Sequence, residues 1–175
     1  RSIKKIKINK NKIRLLYIGR FREEKGYLSL IDIFKNLKIN SSLKMVGNDY
    51  KYFKKSHYPK NSNLEITGQL VKNGDLIKCY DNCDIFILPS YAEAYPQVIL
   101  ESLSRLKPII VFNDIKFLKK TFSVGVFNSK RNAKDLQNII TKIISNYTRI
   151  QNKIYKQKIF TQKKFFIEMN KIFSD

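Results

Sequence analysis

Asp84-Ile85-Phe86-Ile87-Leu88-Pro89-Ser90 is an unbroken apolar run held between a carboxylate and a proline. A strand with one face in water alternates apolar and polar residues. A continuous run marks a strand covered on both faces, as at the centre of a parallel sheet. Pro108 to Phe112 repeats the pattern downstream, and Arg14 to Ile18, ended by Gly19, repeats it upstream. Leu43 to Val46 and Asn63 to Thr67 are further strands closed by Gly47 and Gly68, and Val124 to Phe127 is a weaker one. Between them lie helical spacings. Gly26 to Ile39 carries Leu28, Leu30, Ile31, Ile33, Phe34 and Leu37. Asp75 to Cys83, Pro96 to Leu106 and Ala133 to Ser145 follow, and the tail from Tyr147 to Phe173 reads as two helical pieces broken near Phe160-Thr161. Strands alternating with helices predict βαβ units and an α/β fold with a doubly wound, Rossmann-like parallel sheet.

The 175 residues suit one domain. At 43 % hydrophobic and 13 % aromatic residues, the chain can fill a core. No stretch reaches the roughly 20 apolar residues that cross a bilayer, and the basic start, Arg1-Ser2-Ile3-Lys4-Lys5, does not continue as a signal peptide. Cys79 and Cys83 read as small core residues in a reducing cytosol, not as a disulfide framework or zinc site. The only histidine, His57, lies in a Lys-rich stretch and reads as a surface residue. The net charge of +21 has three readings: AT-rich codon usage, proximity to an anionic membrane, or nucleic-acid binding. The abundance of Lys, Asn and Ile fits the first. The lysines do not cluster, and no RNP-type aromatic motif, zinc-finger spacing or helix-turn-helix signal supports the last, so no nucleic acid is expected.

Ligands of doubly wound sheets sit beyond the carboxyl ends of the strands. The segments to search are therefore 19–25, 47–49, 68–71 and 89–98. In Gly19-Arg20-Phe21-Arg22-Glu23-Glu24-Lys25-Gly26 a glycine ends a strand and a second opens a helix. Arg20 offers a planar fork suited to phosphate oxygens and Lys25 a mobile point charge. Surface cations are ordinarily just solvated, so this segment alone says little. Pro96 suits a first helical position, and Tyr95 before it is a poor cap. The N–H groups of Gln97, Val98 and Ile99 are then left for an anion or for water. Glu101 has Val98, Ile99, Leu100, Leu103 and Leu106 around it, which predicts a mostly buried helix and a carboxylate needing a partner, one of the many lysines being the simplest. Glu93, eight residues earlier, reads by itself as a solvated loop residue.

Together these segments resemble a known pattern. Two glutamates with seven residues between them, set between Asp-x-x-x-Leu-Pro-Ser and Lys107-Pro108-Ile109-Ile110, resemble the signature of the retaining GT-B glycosyltransferases of the GT4 type, which use nucleotide sugars. Gly19-Arg20-Phe21 with Lys25-Gly26 resembles that family's donor-phosphate loop. Thr67-Gly68-Gln69-Leu70, Tyr80-Asp81-Asn82-Cys83-Asp84 and Phe160-Thr161-Gln162-Lys163-Lys164-Phe165 resemble its further landmarks, so the likeness runs from about Ile13 to Phe173. Where many members have Gly-Phe-Gly after the first glutamate, this chain has Ala94-Tyr95-Pro96, and Pro96 withholds one N–H. The stretch from Phe112-Asn113-Asp114 to Gly125 is shorter than usual.

The resemblance implies one half of a GT-B fold, its C-terminal donor-binding domain. Arg20 and Lys25 would neutralise the donor diphosphate and so stabilise the leaving group. Glu93 would bond hydroxyls of the transferred sugar and complete the catalytic set. Gln97 and Val98 would add N–H groups to the phosphate cradle. Glu101 would accept from the ribose hydroxyls, and backbone near Leu70 would meet the base. Gly19 and Tyr95 would belong to the donor loops, and Gly47 would leave room for the nucleotide. The family needs neither metal nor cofactor, and no Asp-x-Asp pair is present here to hold a metal. The expected division is a linker or frayed arm over 1–12, a nucleotide-sugar-binding domain over 13–146, and a helical segment over 147–175 packing toward an absent N-terminal domain. Expected partners are a UDP- or GDP-linked sugar, that N-terminal domain, and the inner, cytoplasmic face of an anionic membrane. Alone, the chain is expected to bind nucleotide weakly and to transfer sugar poorly or not at all. An epimerase or phosphorylase on the same fold, and a non-catalytic basic module, are the rival readings.

Overall fold

The computed structural model describes residues 8–9, 11–48, 63–68 and 73–157. His57, Leu70, most of 1–12 and the second piece of the C-terminal helical tail lie outside the described residues. Six strands, β1 (Ile13–Ile18), β2 (Ser41–Val46), β3 (Leu64–Thr67), β4 (Ile85–Leu88), β5 (Ile109–Phe112) and β6 (Val126–Ser129), form one sheet in the order β3-β2-β1-β4-β5-β6. Every pairing is parallel, with Leu15 opposite both Leu43 and Ile85, and Ile109 opposite both Phe86 and Val126. The burial follows the apolar runs: all residues of β4 and β5 are buried. Edge strand β3 is mostly half-exposed and carries a cross-strand ion pair, Lys44 Nζ to Glu65 at 2.6 Å. The chain winds outward from β1 to β3, returns to β4 on the other side of β1, and winds outward again. Strand order therefore reverses between β1 and β4, and a crevice opens above their carboxyl ends.

Among the described residues, six α-helices cover the sheet: α1 (Tyr27–Lys35), α2 (Asn73–Asn82), α3 (Gln97–Ser104), α4 (Phe117–Phe122), α5 (Ala133–Ser145) and α6 (Tyr147–Lys156). Several boundaries differ from the sequence reading, each for a local reason. α1 stops at Lys35, short of Ile39. Asn36 caps it and donates its side-chain amide to the Asp32 carbonyl at 2.8 Å, while Leu37 and Ile39 pack on the core from the connection. Pro96 is the N-cap of α3, with extended backbone (φ −73°, ψ 117°), and not its first helical residue. α3 ends at Ser104 because Leu106 adopts a left-handed φ of 59° to turn the chain toward Pro108. β6 begins two residues later than expected, after Gly125 (φ 83°), where a Cβ would overlap the side chains of Leu103 and Ile154. α4 is absent from the sequence reading altogether.

The amino end of the sheet is tied by one buried carboxylate. Asp84 is fully buried and accepts from the Arg14 backbone N–H at 2.8 Å, Arg14 Nε at 3.1 Å and the terminal guanidinium nitrogen at 2.7 Å. This contact raises the Arg14 pKa. The Asp84 carbonyl in turn accepts from Tyr147 Oη at 2.7 Å, which docks α6 beneath the sheet. α6 buries Tyr147, Ile150, Gln151 and Ile154, spaced as one helical face, and packs against α5.

Burial raises the phenol pKa of Tyr17, Tyr80 and Tyr147, and the bond from Tyr80 to Glu101 adds to its rise. A group whose folded pKa lies above its unfolded value contributes stability that is fully present below the unfolded value, here 10.0, and is lost as pH rises toward the folded one. Absorbance at 295 nm should therefore show these three of the ten tyrosines ionising only with unfolding, after the exposed ones. Ionisation of all ten in one step in folded protein would contradict the burial.

Candidate active site

The crevice at the carboxyl ends of β1 and β4 is a cavity of about 490 Å³. It is lined by Gly19, Arg20 and Lys25 from the loop after β1, by Ser90 and Glu93 from the loop after β4, and by Pro96, Gln97 and Val98 at the start of α3. The Arg20 guanidinium is exposed and makes no ion pair among the described residues. Lys25 Nζ lies 2.7 Å from Glu93 Oε1, and Ser90 Oγ donates to the same oxygen at 2.7 Å. The side chains of Lys25 and Glu93 are only 20 % and 12 % exposed, so their attraction is poorly screened. At the α3 start the Ile99 N–H bonds the Pro96 carbonyl at 3.1 Å, so the open donors reduce to Gln97 and Val98.

The two loops are held by backbone packing that only small or buried residues allow. Tyr17 is 1 % exposed and donates from Oη to the Arg20 carbonyl at 2.7 Å, wedging under the Gly19-Arg20 turn. A Cβ at Gly47 would overlap the Gly19 carbonyl oxygen. The glycine at 47 is thus required by the approach of the loop after β2 to the loop after β1, whatever occupies the cavity. Gly26 caps α1 with φ +66°, and a Cβ there would overlap the Pro89 carbonyl oxygen. Tyr91 N–H reaches back to the Glu24 carbonyl at 3.0 Å, which closes the two loops against each other.

Glu101 lies on α3, outside the cavity lining. Its carboxylate accepts from Tyr80 Oη on α2 at 2.7 Å, so its partner is a tyrosine and not a lysine. The same helix pair is joined twice more. Arg105 forks onto Asp81 with both bonds at 2.6 Å. Lys107, fully buried, donates to the carbonyls of Cys83 at 2.7 Å and Asp81 at 3.1 Å at the end of α2, and burial lowers its pKa. These ties fix the orientation of α3, and with it both Glu101 and the open N–H groups at the helix start. Tyr95 is 52 % exposed and stacks on Phe122 of α4 at a ring distance of 5.3 Å, beside the cavity and not in its lining.

A larger concavity, about 600 Å³, lies over Leu15, Leu16 and Leu43 at the other end of β1. Of its four cations, Arg14, Lys44 and Lys78 are paired, with Asp84, Glu65 and Asp75, while Lys12 makes no ion pair among the described residues. Each concavity thus has one cation without an ion pair among the described residues, Lys12 here and Arg20 in the crevice, but only the crevice stands at the carboxyl ends of β1 and β4 with the start of α3. Among the described residues, no group of three or more His, Cys, Asp or Glu side chains is gathered to hold a metal ion, and no helix is long and apolar enough to cross a membrane.

The sequence model of the family described as glycosyl transferases group 1 matches residues 1–159. The chain belongs to that family. The N,N'-diacetylbacillosaminyl-diphospho-undecaprenol alpha-1,3-N-acetylgalactosaminyltransferase of Campylobacter jejuni is 27 % identical over 151 residues, which are 82 % of this chain and 38 % of that protein. Among solved structures, Anabaena HepE in complex with UDP and glucose superposes with a TM-score of 0.66 at 20 % identity, over 82 % of this chain and 41 % of that one. The C-terminal domain of a glycosyl transferase group 1 family protein from Francisella tularensis superposes at 0.60 and 16 % identity, over 82 % of this chain and 80 % of that domain. These likenesses establish the fold, an α/β half of the GT-B kind. The chain spans well under half of its full-length relatives.

In this member of the group 1 family the crevice gathers six of the sequence-predicted residues: Gly19, Arg20, Lys25, Glu93, Gln97 and Val98. Gly47, Tyr95 and Glu101 stand outside its lining, and Leu70 lies outside the described residues. Sequence reasoning missed Tyr17, Ser90 and Tyr80. Ser90 was legible in principle, since a hydroxyl three residues before a loop carboxylate can fold back on it. Tyr17 and Tyr80 carried no such signal, because a buried tyrosine in a strand or helix reads as core until its hydroxyl finds a partner.

Proposed function

We propose that this chain is the donor-binding half of a retaining, metal-independent glycosyltransferase. It takes a nucleoside diphosphate sugar, UDP-linked in the first instance, and passes the sugar to a glycan or lipid-linked acceptor held by an N-terminal half. The single observation that carries this reading is the convergence of Arg20, Lys25, Glu93 and the α3 start on one crevice at the switch point of the sheet. The diphosphate lies between the two cations and the N–H groups of Gln97 and Val98, where negative charge developing on the leaving group is stabilised without reorganisation. Glu93 faces the sugar and Glu101 the ribose, released from Tyr80 or sharing its bond. A GT-B transferase holds its acceptor on the opposing half, so the other domain is needed for turnover. The diphospho-undecaprenol in the name of the Campylobacter relative, together with a net charge of +21, supports an envelope glycan as product and work at the inner, cytoplasmic face of an anionic membrane.

A thermal-shift panel of UDP, GDP, ADP and their sugars tests the reading. At a ligand concentration near 100 times Kd, binding to the native state alone is worth about 2.7 kcal/mol, which raises Tm by several degrees. A shift from one nucleotide, enlarged by its sugar, supports the proposal. No shift from any of them, with steeply salt-dependent binding to DNA, would favour the rival basic module.

A further inference from the structure

Only seven of the 35 cationic residues are arginine, and among the described residues Arg14, Arg105 and Arg131 make forked contacts no lysine can copy. Arg14 and Arg105 brace the fold away from the crevice, on Asp84 and Asp81. Arg131 is different: it stands in the turn between β6 and α5, on the ligand side of the sheet. One terminal nitrogen donates to the Pro89 carbonyl and to Ser29 Oγ, both at 2.8 Å. The other donates to Asp114 at 2.7 Å and to the Ser90 carbonyl at 3.3 Å. The guanidinium carbon lies 4.0 Å from the centre of the Tyr91 ring and 4.6 Å from that of Phe112. One planar cation thus joins α1, the end of β5 and the whole Pro89-Ser90-Tyr91 turn.

That turn leads directly to the site. Ser90 gives its carbonyl to Arg131 and its hydroxyl to Glu93 Oε1, the oxygen that also holds Lys25. We propose that Arg131 is a positioning residue for recognition of the donor sugar: it fixes the turn after β4 and, through Ser90, the place of the Glu93 carboxylate. The proposal rests on the reading of Glu93 as the sugar-binding carboxylate. The sheet does not need Arg131, since the strand pairings and the buried faces of α5 are complete without it. A lysine there keeps the charge but reaches only part of this partner set and stacks poorly on two rings.

The test compares wild type, Arg131→Lys and Ser90→Ala in the full chain by two measurements. In the ligand-free protein, hydrogen exchange is followed over residues 89–95 and over α5. Separately, UDP and UDP-glucose are titrated calorimetrically. Arg131→Lys is expected to speed exchange over 89–95 about tenfold with α5 unchanged, and to erase the preference for UDP-glucose over UDP while UDP affinity stays within about threefold. Ser90→Ala is expected to erase that preference with the turn still protected. Unchanged exchange in Arg131→Lys overturns the proposal whether or not either nucleotide binds. Equal weakening of both ligands also overturns it, because that is the signature of a structural role alone. Failure of the wild-type chain to bind either ligand strikes the donor reading, and the exchange measurement still decides whether Arg131 holds the turn.

Discussion

Glu93→Gln is expected to lower sugar transfer by the assembled enzyme roughly 100- to 1,000-fold and, at the same time, to tighten binding of UDP to this chain about fivefold. The two effects have opposite signs because, on the proposed reading, Glu93 would have two electrostatic roles. It neutralises Lys25 across 2.7 Å in a poorly solvated pocket. An incoming diphosphate must share that cation with a carboxylate of its own sign. Two unit charges about 5 Å apart repel by roughly 3 kcal/mol at an effective dielectric near 20, and screening by Lys25 and Arg20 leaves about 1 kcal/mol of it. The amide removes this repulsion and still accepts from Ser90. With the sugar present a second effect enters, the loss of a charge-assisted bond to a hydroxyl, about 1.5–3 kcal/mol. UDP alone should therefore gain affinity and UDP-sugar should not. Equal affinities for UDP in variant and wild type, with transfer intact, would remove Glu93 from the site.

The largest effect on stability is expected at the other end of β4. Asp84→Ala should destabilise the chain by roughly 3 kcal/mol, lowering Tm by about 6–12 °C for a domain of this size. The carboxylate is fully buried and takes three bonds from Arg14. Its removal orphans the Arg14 backbone N–H and frees a guanidinium at the sheet's end. The arginine side chain is 41 % exposed and can turn to water, which is why the lower part of the range for a broken buried pair applies. Nucleotide affinity of the folded variant should be unchanged, because Asp84 stands at the amino end of the strand whose carboxyl end opens on the crevice. A loss under about 1 kcal/mol would mean that Arg14 and Asp84 are independent.

Much of the fold was legible because its strands are continuous apolar runs ended by Gly19, Gly47, Gly68 or Pro89, and burial on both faces leaves little other use for such runs. α4 was missed because Lys116, Lys119, Lys120 and Thr121 drown its signal. Yet Ile115, Leu118 and Phe122 keep helical spacing and are all buried. α1 was overextended because Leu37 and Ile39 continue its apolar rhythm, while its end is set by the Asn36 side chain. At the site, residue types and their places after strands were readable; pairings across the sheet were not. Lys25 meets Glu93 from 68 residues away, and Arg131 meets Pro89 from 42. Such contacts follow from strand order, and no local pattern reports them. Glu101 illustrates the limit. Its helix predicted a partnered carboxylate, but Tyr80 could be named only once α2 was seen against α3.

Backbone amide NMR during a titration with UDP, and separately with GDP, tests the location of the diphosphate most directly. The crevice predicts that resonances of Gly19, Arg20, Gln97 and Val98 shift together and saturate with one dissociation constant, and that Lys25→Met abolishes the common shift. Shifts gathered instead around Lys44, Glu65 and Lys78, or spread thinly over the cationic surface, would contradict it.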